Sequence, residues 1–181
     1  PRRQKLCENK LRHLSDETPD GSRKAFIECA AVKTFFLWHK SKKDTNGGED
    51  LQNQLESGEI PEDFKRQMFY TFGDFRDLCL GKDIGKDVRD VESKIKDVFQ
   101  KMKTTTAEQR ETWWDEHKEA IWEGMLCALS YNTNEKQFKK EIHTNLIDAK
   151  NNNTYSLVKF SGSDNPLTLE EFAKRPQFLR W

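Results

Sequence analysis

The sequence predicts an all-α protein, a helical bundle with long loops, on three observations. Apolar residues recur at three- and four-residue spacing through most of the chain, capping and breaking residues separate the periodic runs, and only Tyr155 to Phe160 reads as a strand. The composition of the core supports the same reading. Hydrophobic residues make up 34% of the 181, below the ~45–50% usual for globular domains. Such a value alone would point to disorder. Twelve Phe and five Trp reverse that reading, because one large aromatic buries roughly 150–250 Å².

The first helix is expected from Ser22 to Lys43, with Ser22 as cap and Phe26, Ile27, Ala30, Ala31, Thr34, Leu37 and Trp38 on one broad face. Lysines crowd its last turns, where the helix dipole favours cations. Thr45 to Gly48 breaks the pattern as an exposed loop, and a helical turn follows from Leu51 to Leu55. Pro61 suits a first helical position and opens a helix to Cys79, with Phe64, Met68, Phe72 and Phe75 on its stripe and Gly81 as its stop. Gly73, inside that helix, costs about 1 kcal/mol relative to alanine, so it marks a place where a neighbour approaches closely. Asp74, Arg76 and Asp77 form a charged cluster there, read as either an internal ion pair that fixes register or an exposed surface.

A third long helix spans Lys86 to Met102 and a fourth Ala107 to Ser130, with Thr104–Thr106 supplying the break and cap between them. Glu135 to Lys150 reads as a further helix carrying Phe138, Ile142, Leu146 and Ala149. Asn151–Asn153 is a loop, and Gly162–Pro166 a turn. Thr168 and Glu171 compose a capping box for a last short helix with Leu169 and Phe172, before Pro176 interrupts. No repeat and no sustained heptad is present.

Composition and motifs exclude several functions. Thirty-one basic and thirty-one acidic residues cancel, leaving no net field for nucleic acid. The basic stretches Arg2–Arg3, Lys40–Lys43 and Lys136–Lys140 are interrupted or flanked by acids and read as solvated faces, with an anionic-glycan patch as the alternative. No run has the length of a membrane span. His117 has Asp115 as neighbour at a spacing that faces another side of the helix, unlike an HExxH pair. Glycine-rich phosphate loops and nucleophile signatures are lacking, so no catalytic residue, cofactor or metal is implied. Trp113, Trp114 and Trp122 are read as core rather than as a sugar platform. Asn152 heads an Asn-Asn-Thr triplet, the acceptor pattern for N-glycosylation. The four cysteines, Cys7, Cys29, Cys79 and Cys127, contain no CxxC pair, and spacing leaves two disulfides or four thiols equally open.

An ordered set of segments resembles one family. They are Pro1-Arg-Arg-Gln-Lys-Leu-Cys7, the stretch Ala25 to His39 with its Glu28-Cys-Ala-Ala-Val-Lys33, and Ile60 to Cys79 with Phe72-Gly-Asp-Phe-Arg-Asp-Leu-Cys79. Trp113-Trp114, Ile121-Trp-Glu-Gly-Met-Leu-Cys-Ala-Leu129 and Phe172-Ala-Lys-Arg-Pro-Gln-Phe-Leu-Arg-Trp181 complete it. Together they resemble the Duffy-binding-like domains of Plasmodium falciparum erythrocyte membrane protein 1, most closely the beta class. The resemblance implies three subdomains: residues 1–21 would end the first and connect, 22–165 would form the helical second, and 166–181 would begin a truncated third.

It further implies a disulfide-bonded, non-enzymatic adhesion module on the surface of the infected host erythrocyte. Its partners would be a host receptor, with intercellular adhesion molecule 1 favoured, and host antibodies against the loops Thr45–Asp50, Thr133–Glu135 and Asn151–Asn153. Beta-class domains place much of their contact with that receptor in the third subdomain, so a scaffold role without its own ligand is one alternative. Chondroitin sulfate, bound by another member of the family, is the other. Cys7 would pair with a cysteine outside this chain and Cys79 with Cys127, leaving Cys29 free; a Cys29–Cys127 bridge is the alternative pairing.

Overall fold

In a computed structural model, residues 5–160 and 165–180 are described; Arg2–Arg3, residues 162–164 of the expected turn, and Trp181 lie outside them. The described residues form nine α-helices and two minimal hairpins, in keeping with the all-α expectation. After α1 (Asn9–Arg12) comes the long α2 (Pro19–Asp44), then α3 (Gly48–Glu56), α4 (Glu62–Cys79), α5 (Arg89–Lys101) and α6 (Ala107–Leu129). Strands β1 (Tyr131–Asn132) and β2 (Gln137–Phe138) pair antiparallel, and α7 (Lys140–Ile147) follows. Strands β3 (Lys159–Phe160) and β4 (Leu167–Thr168) form the second hairpin, before α8 (Leu169–Lys174) and α9 (Gln177–Arg180). No helix among the described residues is long and apolar enough to cross a membrane.

The termini of these helices follow from particular side chains. Thr18, not Ser22, caps α2: its Oγ1 accepts the Gly21 N–H at 3.1 Å, and Pro19 fills the first position. Ser22 is instead buried, with its hydroxyl against the Met102 sulfur. Gly81 ends α4 in the left-handed region, φ 69°. The Lys82 N–H reaches the Asp77 carbonyl at 2.9 Å and the Gly81 N–H that of Leu78 at 3.2 Å, a Schellman ending. Capping boxes start both α6, from Thr106 and Gln109, and α8, from Thr168 and Glu171.

Helix α2 is the centre of the bundle. It runs parallel to α6: Phe26 lies 5.2 Å from the Trp113 ring, Ile27 abuts Gly124, and Phe35 lies 6.0 Å from Tyr131. A Cβ on Gly124 would fall 2.7 Å from the Ile27 methyl, so a glycine lets the two helices touch there. Helix α4 crosses antiparallel, with Trp38 on Phe64 (4.8 Å) and Phe72 on Trp114 (5.1 Å). Trp122 donates Nε1–H to the Asn153 carbonyl at 2.7 Å, so the three tryptophans of α6 are core, with the one buried polar group of Trp122 satisfied.

Three expected elements differ. Glu135 to Lys150 is not one helix: its first part closes the β1–β2 hairpin, and helix begins only at Lys140. The apolar period counted Phe138 as core, but that ring is exposed. Of Tyr155 to Phe160 only the last two residues pair as strand, since the Val158 N–H turns back to the Thr154 carbonyl. Helix α3 starts at Gly48, inside the loop expected over 45–50.

Candidate adhesion surface

Most aromatic rings face the core; apart from Phe178 on α9, those that do not form one group. On α2, Val32 and Phe36 occupy successive turns of the solvent face and are 38% and 59% exposed. Beneath them, Phe35 meets the Phe36 ring at 5.5 Å, His39 at 4.7 Å and Tyr131 at 6.0 Å. Tyr131 stands opposite Phe138 in the β1–β2 ladder, which puts both side chains on one side of the hairpin. They are 41% and 46% exposed. Phe138 in turn lies 5.5 Å from the His143 ring on α7. The strip therefore runs from the middle of α2 across the hairpin to α7.

Local chemistry holds this arrangement. The Asn132 side-chain oxygen accepts the N–H groups of Asn134 and Glu135, closing the hairpin turn. Lys139 donates its backbone N–H to the Ser130 carbonyl at 2.8 Å and its ammonium to Glu135. That ammonium, with Gln137, holds the Glu135 carboxyl below its ordinary value. Burial and the nearby Lys42 and Lys43 lower the pKa of His39 in the strip. Lys40, Lys43, Lys136 and Lys140, neighbours in sequence of its α2 and hairpin residues, are exposed. An apolar centre rich in aromatics beside exposed lysines is the make-up of a protein–protein contact, and these side chains are left exposed among the described residues.

The residues singled out in the sequence occupy other places. His117 packs edge-on to Trp113 at 4.5 Å, and burial lowers its pKa. Asp74, Arg76 and Asp77 are all buried. Arg76 pairs with Glu111 at 2.8 Å, while Asp74 and Asp77 share Arg180. That partner is remote in sequence and no local signal announces it. Asn153, expected in a variable loop, is 1% exposed and donates to the carbonyls of Gly58 (2.6 Å) and Leu146 (3.1 Å). Asn152 beside it is exposed, in the left-handed conformation that asparagine tolerates.

All four cysteines are free thiols here, and Cys79 and Cys127 lie in separate places. The Cys79 sulfur lies 4.0 Å from the Arg110 carbonyl, and Arg110 donates back to the Cys79 carbonyl at 3.3 Å. Cys127 is about 17 residues farther along the same helix, or ~25 Å at the helical rise, whereas a disulfide requires Cα atoms within about 7 Å. The alternative Cys29–Cys127 bridge meets a different obstacle. Ile27 faces α6 at Gly124, and a residue two positions on points about 200° away from it. Cys29 accordingly lies against Lys10 and Leu11, and burial pushes its thiol up to about 11.

The chain is 27% identical over 131 residues to the Duffy receptor of Plasmodium vivax (strain Salvador I), an alignment covering 71% of this chain and 12% of that protein. It thus spans about an eighth of the length of that relative. No solved structure matches. The family model for the Duffy binding domain matches residues 1–179, and on that match the chain belongs to the Duffy binding domain family.

Proposed function

We propose that this chain is part of a beta-class Duffy-binding-like domain of Plasmodium falciparum erythrocyte membrane protein 1, and that it attaches infected erythrocytes to a host receptor protein. The observation that carries the reading is the exposed strip of Val32, Phe36, Tyr131 and Phe138 on a rigid helical frame, in a chain of a receptor-binding adhesion family. Aromatic anchors dominate the energetics of protein contacts because they bury much area at little entropic cost. Intercellular adhesion molecule 1 is the favoured receptor, through the resemblance of the helical segments. Residues 1–21 then end a first subdomain, 22–165 form the second and 166–181 begin the third.

Surface plasmon resonance of this chain beside a complete domain, against that receptor, tests the proposal. Binding by both, reduced at least tenfold when Phe36→Ala and Phe138→Ala are combined, supports it. Binding by the complete domain alone assigns the site to the third subdomain and leaves this chain as scaffold. A second reading, attachment to a sulfated glycan, is favoured by exposed Lys40, Lys43, Lys136 and Lys140. It predicts steep loss of binding between low and physiological salt, where a contact with an apolar centre is less sensitive.

A further inference from the structure

Between the end of α3, the β1–β2 hairpin and the start of α7 lies an open cleft of about 650 Å³, a volume within the range that holds a small ligand. Its walls are held to one another. The Asn145 side-chain amide donates to the Glu56 carbonyl at 2.8 Å, which ties α7 to the end of α3. Across the hairpin, the Glu135 carboxylate accepts from the Lys139 ammonium and from the Gln137 amide. Polar groups on these walls are nevertheless left over. Among the described residues the Lys140 ammonium and the Glu141 carboxylate have no hydrogen bond or ion pair, although both line the cleft. Glu56 gives one carboxylate oxygen to Gln52 at 3.0 Å and keeps the other. Gln137 and Asn145 each donate through nitrogen, at 2.6 and 2.8 Å, and keep the side-chain oxygen. The Phe138 ring stands in the same wall, 46% exposed.

We propose that this cleft binds a neutral pyranose ring, the exposed end of an uncharged glycan. Carboxylates at Glu56, Glu135 and Glu141 line it together with ammoniums at Lys139 and Lys140, so an anion and a cation each meet like charge at short range. A neutral sugar meets neither. Its hydroxyls donate to the spare oxygens of Glu56, Glu141, Gln137 and Asn145 and accept from Lys140, and hydrogen bonds to an ionised partner are the stronger kind. Phe138 supplies what a wholly polar cleft lacks. The face of its ring is the negative end of a quadrupole, on which the C–H face of a pyranose packs and leaves water. Such binding requires neither the protein receptor nor the sulfate groups considered above, and it shares only Phe138 with the strip.

The isotope-labelled chain is titrated with the methyl glycosides of glucose, galactose, mannose and N-acetylglucosamine, and its amide resonances are followed by NMR. At least one glycoside is expected to shift the backbone N–H signals of Gln137, Phe138, Glu141 and Asn145 saturably, with Kd on the order of 1 mM, as suits a ligand of about a dozen heavy atoms. Phe138→Ala, and Glu56→Gln combined with Glu141→Gln, should each weaken that binding about fivefold or more, while Phe138→Tyr retains it. Phe36→Ala removes a ring of the strip that does not line the cleft, so it should leave sugar binding unchanged whatever it does to a protein receptor. Methyl glucuronate and N-acetylarginine amide serve as the charged probes. No shift at these signals with any glycoside at roughly tenfold that concentration would overturn the proposal. So would undiminished binding by Phe138→Ala, or tighter binding of either charged probe than of every neutral one.

Discussion

Gly73 and the Arg180 guanidinium are in face-to-face contact: a Cβ built on Gly73 would lie 3.1 Å from the Arg180 Cζ and Nη1. The close approach anticipated from a glycine inside α4 is thus made not by a helix backbone but by one buried charge from the far end of the chain. Nη1 of Arg180 donates to the carbonyls of Ala173 and Arg175, each at 3.1 Å, and Nη2 reaches Asp77 and Asp74. A planar group with a fixed fork of donors can satisfy two carboxylates and two carbonyls at once. This junction joins α9 to the last turns of α4, and so fixes how the last helices dock on the bundle.

Removing Arg180 should take from buried Asp74 and Asp77 the guanidinium they share, leaving Lys82 at 3.6 Å from Asp77. Arg180→Ala is expected to cost about 3–5 kcal/mol, the usual penalty for breaking one side of a buried pair. Arg180→Lys should recover less than half, because an ammonium cannot reach all four acceptors. At Gly73 two effects oppose. Alanine is favoured over glycine by about 1 kcal/mol in a helix, but overpacking a rigid neighbour costs about 1–3 kcal/mol. The guanidinium is held on both its terminal nitrogens and cannot retreat, so Gly73→Ala is expected to be destabilising. Urea denaturation of the three variants checks both statements, and a stabilised Gly73→Ala would show that the guanidinium does give way.

Asn153 is the second pin. Its side-chain amide links Gly58, before α4, to Leu146 at the end of α7, and its own carbonyl holds the Trp122 indole. Asn153→Ala strands two buried carbonyls and is expected to cost about 2–3 kcal/mol. Asn152→Gly, at an exposed left-handed position, should be within about 0.5 kcal/mol of neutral. Thermal melts of the pair separate the pin from its neighbour, and equal shifts would contradict the assignment.

These two sites also show what was and was not legible in the sequence. Helix ends governed by local chemistry were readable: the Thr106 and Thr168 caps and the Gly81 stop lie within a few residues of the groups they satisfy. The aromatic core was readable because its stripe repeats along each helix. Arg180 beside Asp77 was not, since partners 103 residues apart leave no periodic trace. Asn153 looked like any asparagine in an asparagine run, and only the bonds of its amide to the distant Gly58 and Leu146 carbonyls distinguish it. Phe138 was misread for the opposite reason: an apolar residue at helical spacing was assigned to the core, and its exposure became visible only once the hairpin broke the helix. The candidate surface was therefore hidden by the same rule that found the bundle.

Glu17 provides an acid-sensitive clamp between the connector and α5. Its carboxylate accepts from Lys94 at 2.6 Å and from Lys101. Those hydrogen bonds, that from Lys101 foremost, lower its pKa from an ordinary 4.5 to about 2. A carboxyl depressed on folding stabilises fully above its unfolded pKa and loses that contribution as pH falls through the folded one. The difference in urea midpoint between the unsubstituted chain and Glu17→Gln should therefore be constant above about pH 5, shrink below 4.5 and be nearly gone at about 2. Added salt should shrink it at neutral pH as well, because the clamp faces solvent. A difference independent of pH would mean the carboxylate does not act through its charge.

The exposed strip predicts a separation of stability from binding. Phe36 and Phe138 are about half exposed, and neither fills the core that holds the helices together. Phe36→Ala and Phe138→Ala are each expected to change stability by no more than about 0.5 kcal/mol, as for surface positions generally. If the strip is the contact, the same changes remove aromatic anchors worth about 2 kcal/mol or more each in a protein interface, a loss of some thirtyfold in affinity. Phe69→Ala gives the converse control: its ring is buried against Trp122 and Phe172, so its loss should cost about 3–5 kcal/mol. Circular-dichroism melts and receptor binding on the same three variants decide the matter. Binding unchanged by the two surface substitutions, with folding intact, would place the contact away from the strip.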